Sequence, residues 1–561
     1  MATLERYPSI PFPLRIRSID AAPIETCRAR LETGQQVRST SLKAIWLPTL
    51  TNHSPQAKRV LHLCAYVGSF LAVLVISIRI GVDANWDLRN YHLYNGRALI
   101  NAGFRRDVAT AGIQSFLNPL GDAPYGVLTR LLGPHAGIML AAGLIQWLCY
   151  VSIWRLTGEF VALTELKLGR IVAFVAVIFG SGALSFAFTS FGDWAIAALL
   201  AEALTRVLRA QTAEAHLQPR LWNQAGLFLG VATALKLTAV PFVAAFIVVS
   251  FMVGGATRML RMTTASSIGF IVTGGPWMAY LWIKYGNPVF PLYNGIFTST
   301  SAPASNFDDN RYGATSLQSV FEFPVRLFTG TTKYSEILLR DWRFVALFVL
   351  AFASLLVSPE RQPKTPRSTT EVLAPILIIS YLIWIVQFGI YRYFLFGELL
   401  TSLLLVLLAI QIWPNKRPVR IVALVVPLIV GSAYQIAPNW GRDEQLWNQR
   451  LHDLAASTSA DHISIIFSGP PPLSYLTASI SGSSRFAALT AFENGDLLPA
   501  GELGNQLTDL VSDGLAANDL FMISDVGASN PSFPLDDLSA VDCQPFESIG
   551  RDLQFCRLER P

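Results

Sequence analysis

The residues of this sequence that could carry out chemistry are densest in one stretch, Asp83-Ala-Asn-Trp-Asp-Leu-Arg-Asn-Tyr-His-Leu-Tyr-Asn95. If this stretch is helical, Asp83 and Asp87 lie four residues apart on one helix face, and Tyr91 continues that face. A carboxylate there can accept a proton from a sugar or lipid hydroxyl, or bind a divalent cation such as Mg²⁺ or Mn²⁺ that neutralises a diphosphate. The alternative is an interfacial amphipathic helix with a solvated polar face and an aromatic belt. Spacing alone leaves both interpretations open.

Other ionisable residues lie within or beside apolar segments, where a charge is costly. Lys236 either orients a partner carboxylate or extends toward the cytoplasm, and the sequence does not choose between these. We expect Glu398 to pair with Arg392 or to approach the headgroup of a donor, with pairing favoured. Asp193 follows a glycine at a tight turn, and we interpret it as a helix cap. His92 could carry a proton or bind a metal, but no second histidine lies at ligand spacing, so a hydrogen-bonded interfacial side chain is favoured.

The composition indicates that these residues belong to a membrane protein. The chain has 561 residues, of which 52% are hydrophobic and 14% charged, and its mean hydropathy is +0.42. A soluble protein carries about 25% charged residues. The apolar residues come in blocks of about twenty, the length at which a helix crosses the ~30 Å hydrocarbon layer. The net charge of +5 is too small and too scattered for a nucleic-acid-binding protein.

Hydropathy predicts an α-helical polytopic protein with about eleven transmembrane helices. Under this count the basic short loops all fall on one side, which the positive-inside rule makes the cytoplasmic side. The pair 224–237 and 240–254 is short, and its fusion into one kinked span would reverse everything downstream, but the loop charges argue against that. The predicted spans are 60–78, 137–156, 168–189, 192–209, 224–237, 240–254, 264–283, 343–358, 371–388, 391–410 and 418–435.

This topology divides the chain into three parts. Residues 1–59 form a basic, partly disordered cytoplasmic tail, and residues 60–435 form the transmembrane domain with external loops at 80–136 and 284–342. Residues 436–561 form an external, periplasmic soluble domain. Its segments 462–467 and 519–524 have the character of short buried strands, which predicts a small α/β domain.

The five cysteines are expected to divide by compartment. An external compartment is oxidising, so Cys543 and Cys556 of the tail are expected to form a disulfide bond. Cys27, Cys64 and Cys149 lie in the cytoplasmic tail or within spans and should stay reduced.

Four segments of the chain, in their order, resemble bacterial polytopic membrane glycosyltransferases of the C superfamily. The resemblance covers roughly residues 60–435 and includes a cytoplasmic start, an acidic first external loop with juxtamembrane helices, and an external C-terminal domain. The chain lacks the Trp-Trp-Asp-Tyr-Gly sequence of oligosaccharyltransferase catalytic subunits, so protein N-glycosylation is not expected. The four segments are Asn85-Trp-Asp-Leu-Arg-Asn-Tyr-His-Leu-Tyr-Asn95, Phe116-Leu-Asn-Pro-Leu120, Ala234-Leu-Lys-Leu-Thr238 and Lys284-Tyr-Gly-Asn-Pro-Val-Phe-Pro-Leu-Tyr-Asn294.

The resemblance implies an inverting transfer of a sugar from a polyprenyl-phosphate-linked donor to a cell-envelope glycan or lipid, on the outer face of the bacterial inner membrane. Asp87 is carried over as the catalytic carboxylate, with Asp83 as the second choice, and both would hold a divalent cation if one is present. Members often have adjacent acids here, whereas these two lie four residues apart. Asn287–Pro291 is expected to shape the rim of the cavity.

Such a reaction needs cations near the external interface, because the donor leaves as a lipid phosphate anion. Each cation has the alternative of contacting only lipid headgroups. With Tyr91 and His92 beside the carboxylates, the predicted substrate-binding residues are Arg89, Arg97, Lys284, Arg311, Lys333 and Arg392, and Arg340 lies on the same side.

Two other functions remain open at this stage. The helix count also permits a transporter or flippase of envelope precursors, whose expected signs are repeated halves and charges at the midplane of the membrane. A non-catalytic envelope assembly protein would need no cluster of acidic, basic and histidine side chains beside the bilayer.

Overall fold

The computed structural model describes residues 55–164, 169–304, 311–314, 316–355, 367–412, 438–458, 462–489, 501–527 and 537–560. The predicted cytoplasmic tail up to residue 54 and the predicted span 418–435 lie outside the described residues. The chain separates into two units, residues 1–65 and 66–561. Of the first unit, the structure describes the beginning of the first helix.

Helices occupy ten of the eleven predicted spans, so the helical membrane architecture is confirmed. Five described helical stretches are long and apolar enough to cross a membrane: Arg59–Ile80, Pro134–Leu163, Leu237–Tyr285, Thr369–Gln387 and Tyr391–Ala409. The helices are α1 (Pro55–Ile80), α2 (Leu93–Ile100), α3 (Ala123–Leu132), α4 (Pro134–Thr164), α5 (Gly169–Ile178), α6 (Ser181–Ser185), α7 (Asp193–Ala210), α8 (Gln218–Leu235), α9 (Val240–Tyr285), α10 (Asn294–Phe297), α11 (Leu317–Thr329), α12 (Arg343–Leu355), α13 (Arg367–Gln387), α14 (Leu395–Ile412), α15 (Gln449–Ala456) and α16 (Glu502–Ala517).

Helix α9 is broken about one third of the way along its length, as the prediction of separate spans at 240–254 and 264–283 requires. Gly254 and Gly255 have non-helical backbone angles, and Gly255 has φ +67°, a conformation that glycine adopts without a steric cost. The guanidinium of Arg258, just after the break, lies 5.4 Å from the ring of Trp222 near the start of α8. The break therefore lies beside the beginning of α8, and α8 and the two halves of α9 run in alternating directions.

The second half of α9 packs against α8 through small residues. A Cβ atom on Gly230 would lie 2.0 Å from the carbonyl oxygen of Ser266, and one on Gly269 would lie 2.6 Å from the carbonyl oxygen of Leu227. Apolar lipid gives no hydrophobic drive for helix association, so close backbone packing at such glycines stabilises the pair.

The predicted span 168–189 is not one continuous helix. Helix α5 ends at Ile178, and the short α6 begins at Ser181. The backbone N–H groups of Gly182 and Ala183 donate hydrogen bonds to the carboxylate of Glu398, at 3.0 and 3.1 Å. The break exposes these donors, and hydropathy contains no signal for it.

The C-terminal segment forms the predicted small α/β domain. Its five strands are β1 (Ser464–Ser468), β2 (Arg485–Ala488), β3 (Leu520–Asp525), β4 (Ser539–Ser548) and β5 (Arg551–Glu559). They form one sheet in the order β2-β1-β3-β5-β4, in which β1 pairs in parallel with β2 and β3, and β5 pairs antiparallel with β3 and β4. The two predicted strands are β1 and β3.

This domain is joined to the first loop by backbone hydrogen bonds. Val108 lies parallel to Ala487 of β2, donates its N–H to the carbonyl oxygen of Phe486 at 2.7 Å, and accepts from the N–H of Ala488 at 3.1 Å. Phe290 and Ala302 of the second loop share a hydrophobic core with the same domain. The three segments predicted to be external therefore lie at one end of the helical bundle. The side of the membrane that this end faces stays a prediction.

The predicted disulfide bond is confirmed. Cys543 and Cys556 are bonded across the neighbouring strands β4 and β5. Cys64 and Cys149 are free. Cys27 lies outside the described residues.

Candidate active site

The first loop is helical only from Trp86 onward, so the prediction that Asp83 and Asp87 share one helix face is wrong. Residues 81–85 have no regular structure, a π-helical turn covers Leu88–His92, and α2 follows. Asp83 precedes the helix and therefore does not share a helix face with Asp87. The predicted position of Tyr91 on the same face as Asp87 is confirmed, because the hydroxyl of Tyr91 donates a hydrogen bond to Oδ2 of Asp87 at 3.0 Å.

Asp87 is bonded to a basic residue that lies far away in the chain. Nη1 of Arg392 donates to Oδ2 of Asp87 at 2.6 Å, and both side chains are buried. Arg392 lies in a 3-10 turn, Tyr391–Phe394, just before α14. Its guanidinium lies 4.5 Å from the ring of Phe191, and its Nε lies 3.2 Å from Oε1 of Glu336.

The side chains of Arg392, His92 and Lys236 act electrostatically on the Asp87 carboxylate. Burial raises the pKa of Asp87, but the charges of Arg392, His92 and Lys236 together outweigh burial and hold that pKa below its ordinary value. Asp87 is therefore ionised at neutral pH and acts as a hydrogen-bond acceptor at the centre of a polar cluster.

Lys236 binds and orients a carboxylate, which is one of the two roles predicted for it. It lies in extended conformation at the end of α8, and its Nζ donates to Oδ1 of Asp193 at 2.6 Å and to the carbonyl oxygen of Phe191 at 3.0 Å. The capping interpretation of Asp193 is wrong, because Gly192 occupies the N-cap position and Asp193 begins α7 with its side chain bonded to Lys236. Asn118 stabilises the end of α8, next to Lys236, because its side-chain amide donates a hydrogen bond to the carbonyl oxygen of Ala234 at 2.9 Å.

His92 and Asp122 form a second buried pair in the cluster. Nδ1 of His92 lies 2.5 Å from Oδ1 of Asp122, and the His92 ring centroid lies 4.1 Å from that of Tyr91. Nε2 of His92 is buried and has no hydrogen-bond partner among the described residues. Burial raises the pKa of Asp122, and the charge of His92 opposes that rise. His92 is hydrogen-bonded, as favoured, but buried; its partner Asp122, at the end of the 3-10 turn Pro119–Asp122, was missed in the sequence.

Asp83 has a different set of partners. Its Oδ2 accepts from the backbone N–H and the hydroxyl of Ser190, at 3.1 and 2.8 Å, and from the amide of Asn85. Burial raises the pKa of Asp83 despite these bonds. Asp83 thus ties the first loop to the segment before α7. The described residues include no group of three or more His, Cys, Asp or Glu that could hold a metal ion, and a divalent cation held by Asp83 and Asp87 stays a prediction.

Arg89 and Arg97, the two residues of the first loop that were predicted to bind phosphate, face the C-terminal domain. Nη2 of Arg97 donates to the carbonyl oxygen of Ile480 at 2.8 Å, and burial lowers the pKa of Arg97 to about 10. Burial also lowers the pKa of Arg89, and the other groups that affect this pKa are Tyr475, Glu444 and Arg551 of the C-terminal segment. Both residues are therefore better placed to bind this domain than to bind a phosphate beside Asp87.

The other predicted phosphate-binding residues are spread over the second loop. Nζ of Lys284 lies 5.7 Å from the ring of Tyr285, and Nζ of Lys333 lies 3.9 Å from Glu322. Arg311 lies over the ring of its neighbour Tyr312. Of the predicted cations, the structure brings Arg392 into contact with Asp87.

Glu398 supports the turn that carries Arg392. It pairs with Arg343, whose Nη2 lies 2.5 Å from Oε1, and accepts from the hydroxyl of Tyr391 at 2.8 Å. Glu398 forms an ion pair, as predicted, but its partner is Arg343 and not the predicted Arg392. Arg343 also donates a hydrogen bond to Asp341. The sequence signal that could have indicated this partner of Glu398 is Asp341-Trp-Arg343 at the start of an apolar helix.

The Asn287–Pro291 segment is held by its own hydrogen bonds. Nδ2 of Asn287 donates to the carbonyl oxygen of Leu292, and its Oδ1 accepts from the N–H of Val289, both at 3.0 Å. Its role as a cavity rim stays a prediction.

Comparisons with known proteins identify the fold. No family model matches the chain, and no curated protein matches it. Among solved structures, the crystal structure of ArnT from Cupriavidus metallidurans in the apo state gives a TM-score of 0.54, and the one bound to undecaprenyl phosphate gives 0.53. Each is 13% identical in sequence, and each match covers 90% of this chain and 98% of the ArnT chain. The chain therefore shares its fold with ArnT over nearly the whole length of both chains.

Proposed function

We propose that this protein is a membrane glycosyltransferase that moves a sugar from a polyprenyl-phosphate-linked donor to a cell-envelope glycan or lipid, on the outer face of the bacterial inner membrane. The observation that carries the proposal is the ionised, buried Asp87 carboxylate, bonded to Arg392 and Tyr91 and close to Lys236. The shared fold with ArnT, one structure of which is bound to undecaprenyl phosphate, supports a lipid-linked donor.

The proposed reaction uses the two charges of the Asp87–Arg392 pair separately. Asp87 accepts the proton of the acceptor hydroxyl while the hydroxyl oxygen forms a bond to the anomeric carbon of the donor sugar. The bond between that carbon and the phosphate oxygen breaks, and the lipid phosphate leaves as an anion. Arg392 is suited to receive it, because a guanidinium can bind phosphate through two parallel hydrogen bonds.

Donor binding and base strength are coupled in this scheme. In the structure Arg392 is the strongest of the groups that lower the pKa of Asp87. A donor phosphate that draws Arg392 away removes that contribution, so the pKa of Asp87 rises and the carboxylate becomes a stronger base. Asp87 is then activated only when a donor is present.

The location of the cluster favours an enzyme over a transporter. A transporter is expected to hold its charges near the membrane midplane. Here Asp87 lies in the first loop, Asp193 begins a helix and Lys236 follows the end of another. A non-catalytic assembly protein would not need a buried carboxylate bonded to a basic residue 305 positions away.

The test is incubation of the purified protein in lipid with a panel of labelled polyprenyl-phosphate sugars and membrane acceptors. The wild type should transfer at least one sugar, and Asp87→Asn should lower turnover by about 10²-fold or more, because an amide cannot act as a base. Asp83→Asn should cost less, since Asp83 holds the loop. The matched control is Glu202→Gln, which changes a buried acid in the middle of α7 that lies 3.3 Å from Arg155 and also pairs with Arg206.

Two outcomes would count against the proposal. If no donor in the panel supports transfer by the folded wild type, the function is wrong. If transfer occurs and Asp87→Asn turns over at a near-normal rate, the function stands but the carboxylate assignment is wrong.

A further inference from the structure

We propose that α11 lies in the membrane interface, at the end of the bundle that carries the candidate site, with one side inserted into lipid. The proposal concerns an interaction surface in the second loop and does not depend on the proposed function. It starts from the pattern of exposure around the 13 residues of this helix.

Helix α11 has three sides. Successive residues of an α-helix are rotated by about 100°, so Ser319, Phe323 and Leu327 form one side, and all three are buried at 3% exposure or less. The next side is apolar and exposed: its members are Leu317 at 76%, Phe321 at 72%, Val325 at 59% and Phe328 at 46%. The remaining side is polar and consists of Gln318, Glu322, Arg326 and Thr329.

A helix with these three sides fits one environment. Its buried side packs on the protein, and a helix surrounded by water would not be expected to expose four large apolar residues in a continuous stripe. A helix deep in lipid would not carry an adjacent polar stripe. Apolar and polar stripes side by side are typical of a helix that lies along a membrane interface.

The contacts of Phe328 place the stripe at the level where a membrane span begins. Its ring centroid lies 5.9 Å from that of Trp342, which is 41% exposed and precedes α12. Tryptophan is enriched at membrane–water interfaces. The exposed surface of α12 continues through Phe348 and Phe352, so the stripe joins the face that this apolar helix presents to lipid.

The polar side is suited to the headgroup region. Glu322 accepts from the amide of Gln318 at 2.7 Å and pairs with Arg326 at 2.6 Å and Lys333 at 3.9 Å. One acid is thus shared by two basic side chains, which leaves net positive charge beside the stripe. Positive side chains at this depth are attracted to anionic lipid phosphates. The occupant of the stripe is therefore the bilayer rather than a second protein.

The helix also connects the membrane surface to the candidate site. Asp341 donates its N–H to the carbonyl oxygen of Leu327 at 2.8 Å, and Thr331 and Leu339 exchange two backbone hydrogen bonds of 3.0 Å. These bonds close the segment that carries Glu336, which lies 3.2 Å from Nε of Arg392. The depth of α11 in the membrane thereby sets the position of one partner of Arg392.

The test measures the environment of single cysteines carrying a fluorophore, in the full chain reconstituted into phosphatidylglycerol-containing vesicles, with Cys27, Cys64 and Cys149 replaced by serine. Phe321→Cys and Val325→Cys report on the apolar side, and Gln318→Cys and Thr329→Cys are the matched controls on the polar side. Quenching by lipids spin-labelled near the headgroup should be at least about threefold stronger at the apolar positions. A water-soluble quencher should show the opposite order.

Each alternative result overturns the proposal. Equal access of the water-soluble quencher to both sides would mean that the helix lies in water. Equal quenching by lipid on both sides would mean that it is immersed in the bilayer. Protection of the apolar positions from both quenchers would mean that protein covers the stripe.

Discussion

Asp107 of the first loop should make the attachment of the C-terminal domain dependent on pH. Its Oδ1 accepts the backbone N–H of Phe486 at 3.2 Å, and its Oδ2 accepts the hydroxyl of Tyr94 at 3.1 Å. Phe486 lies on β2, next to the pairing between Val108 and Ala487. Burial raises the pKa of Asp107 to about 7 from an ordinary value of 3.8, although these bonds and two arginines oppose the rise. We expect Asp107→Asn to remove the resulting pH dependence.

The sign follows from proton binding. Between about pH 4 and pH 7 the folded protein retains a proton on Asp107 that the opened chain has lost, so stability falls as the pH rises through this window. The stabilising contribution is fully present below the ordinary value of 3.8 and is lost as the pH passes about 7. At about 1.4 kcal/mol for each pH unit, the full difference amounts to ~4 kcal/mol as an upper value.

Hydrogen exchange of residues 484–489 in lipid nanodiscs, from pH 5 to pH 8, measures the effect locally. After correction for intrinsic exchange, protection in the wild type should fall with pH and level off above about pH 7, whereas Asp107→Asn should give a flat profile. The control is Asp513→Asn, which removes an exposed acid 2.7 Å from Arg485 on the same strand. It should change protection by ~0–1 kcal/mol at every pH. Parallel slopes in the wild type and Asp107→Asn would refute the reasoning.

Three further changes test the packing of the structure by thermal unfolding in lipid. Gly230→Ala should destabilise the protein by ~1–3 kcal/mol, because the added methyl group would overlap a carbonyl oxygen of α9; Gly68→Ala, whose Cβ meets nothing within 4 Å, should not. Lys236→Met should cost ~3–5 kcal/mol by leaving the Asp193 carboxylate buried without its cation, and adding Asp193→Leu should restore part of that loss; an equally unstable double variant would contradict this. Cys556→Ser should cost up to ~3 kcal/mol, and reduction of the wild type should abolish the difference.

The spans could be predicted from sequence because hydropathy is a local property. An apolar block from Val60 to Ile78 is visible without knowledge of its neighbours, and α1 covers it. The break between α5 and α6 was not visible, because it depends on Glu398, a residue more than 200 positions away that binds the exposed N–H groups of Gly182 and Ala183. Boundaries that depend on distant polar partners therefore escape a reading by hydropathy.

The candidate site divides in the same way. The contact between Asp87 and Tyr91 follows from helical spacing and was predicted, whereas Arg392 was one of several predicted cations with nothing in its local sequence to single it out. The partners Asp122 and Glu336 were missed because each belongs to a segment whose folded position the sequence does not encode locally. Topology predicted which cations lie near the interface, and only tertiary contacts select the one that pairs with Asp87.

The charges of the cluster explain how Asp87 can be protonated while the lipid phosphate leaves. Lys236 pairs with the Asp193 carboxylate, and Arg392 contacts the carboxylates of both Asp87 and Glu336, so neither cation offers free positive charge in the structure. A phosphate that enters must therefore compete with a carboxylate for its cation. In the proposed reaction the proton of the acceptor hydroxyl neutralises Asp87 as negative charge develops on the leaving phosphate. Arg392, which the donor phosphate has already drawn from Asp87, stabilises the leaving phosphate, so the chemical step itself adds no net charge to a buried site, where an uncompensated charge would be costly.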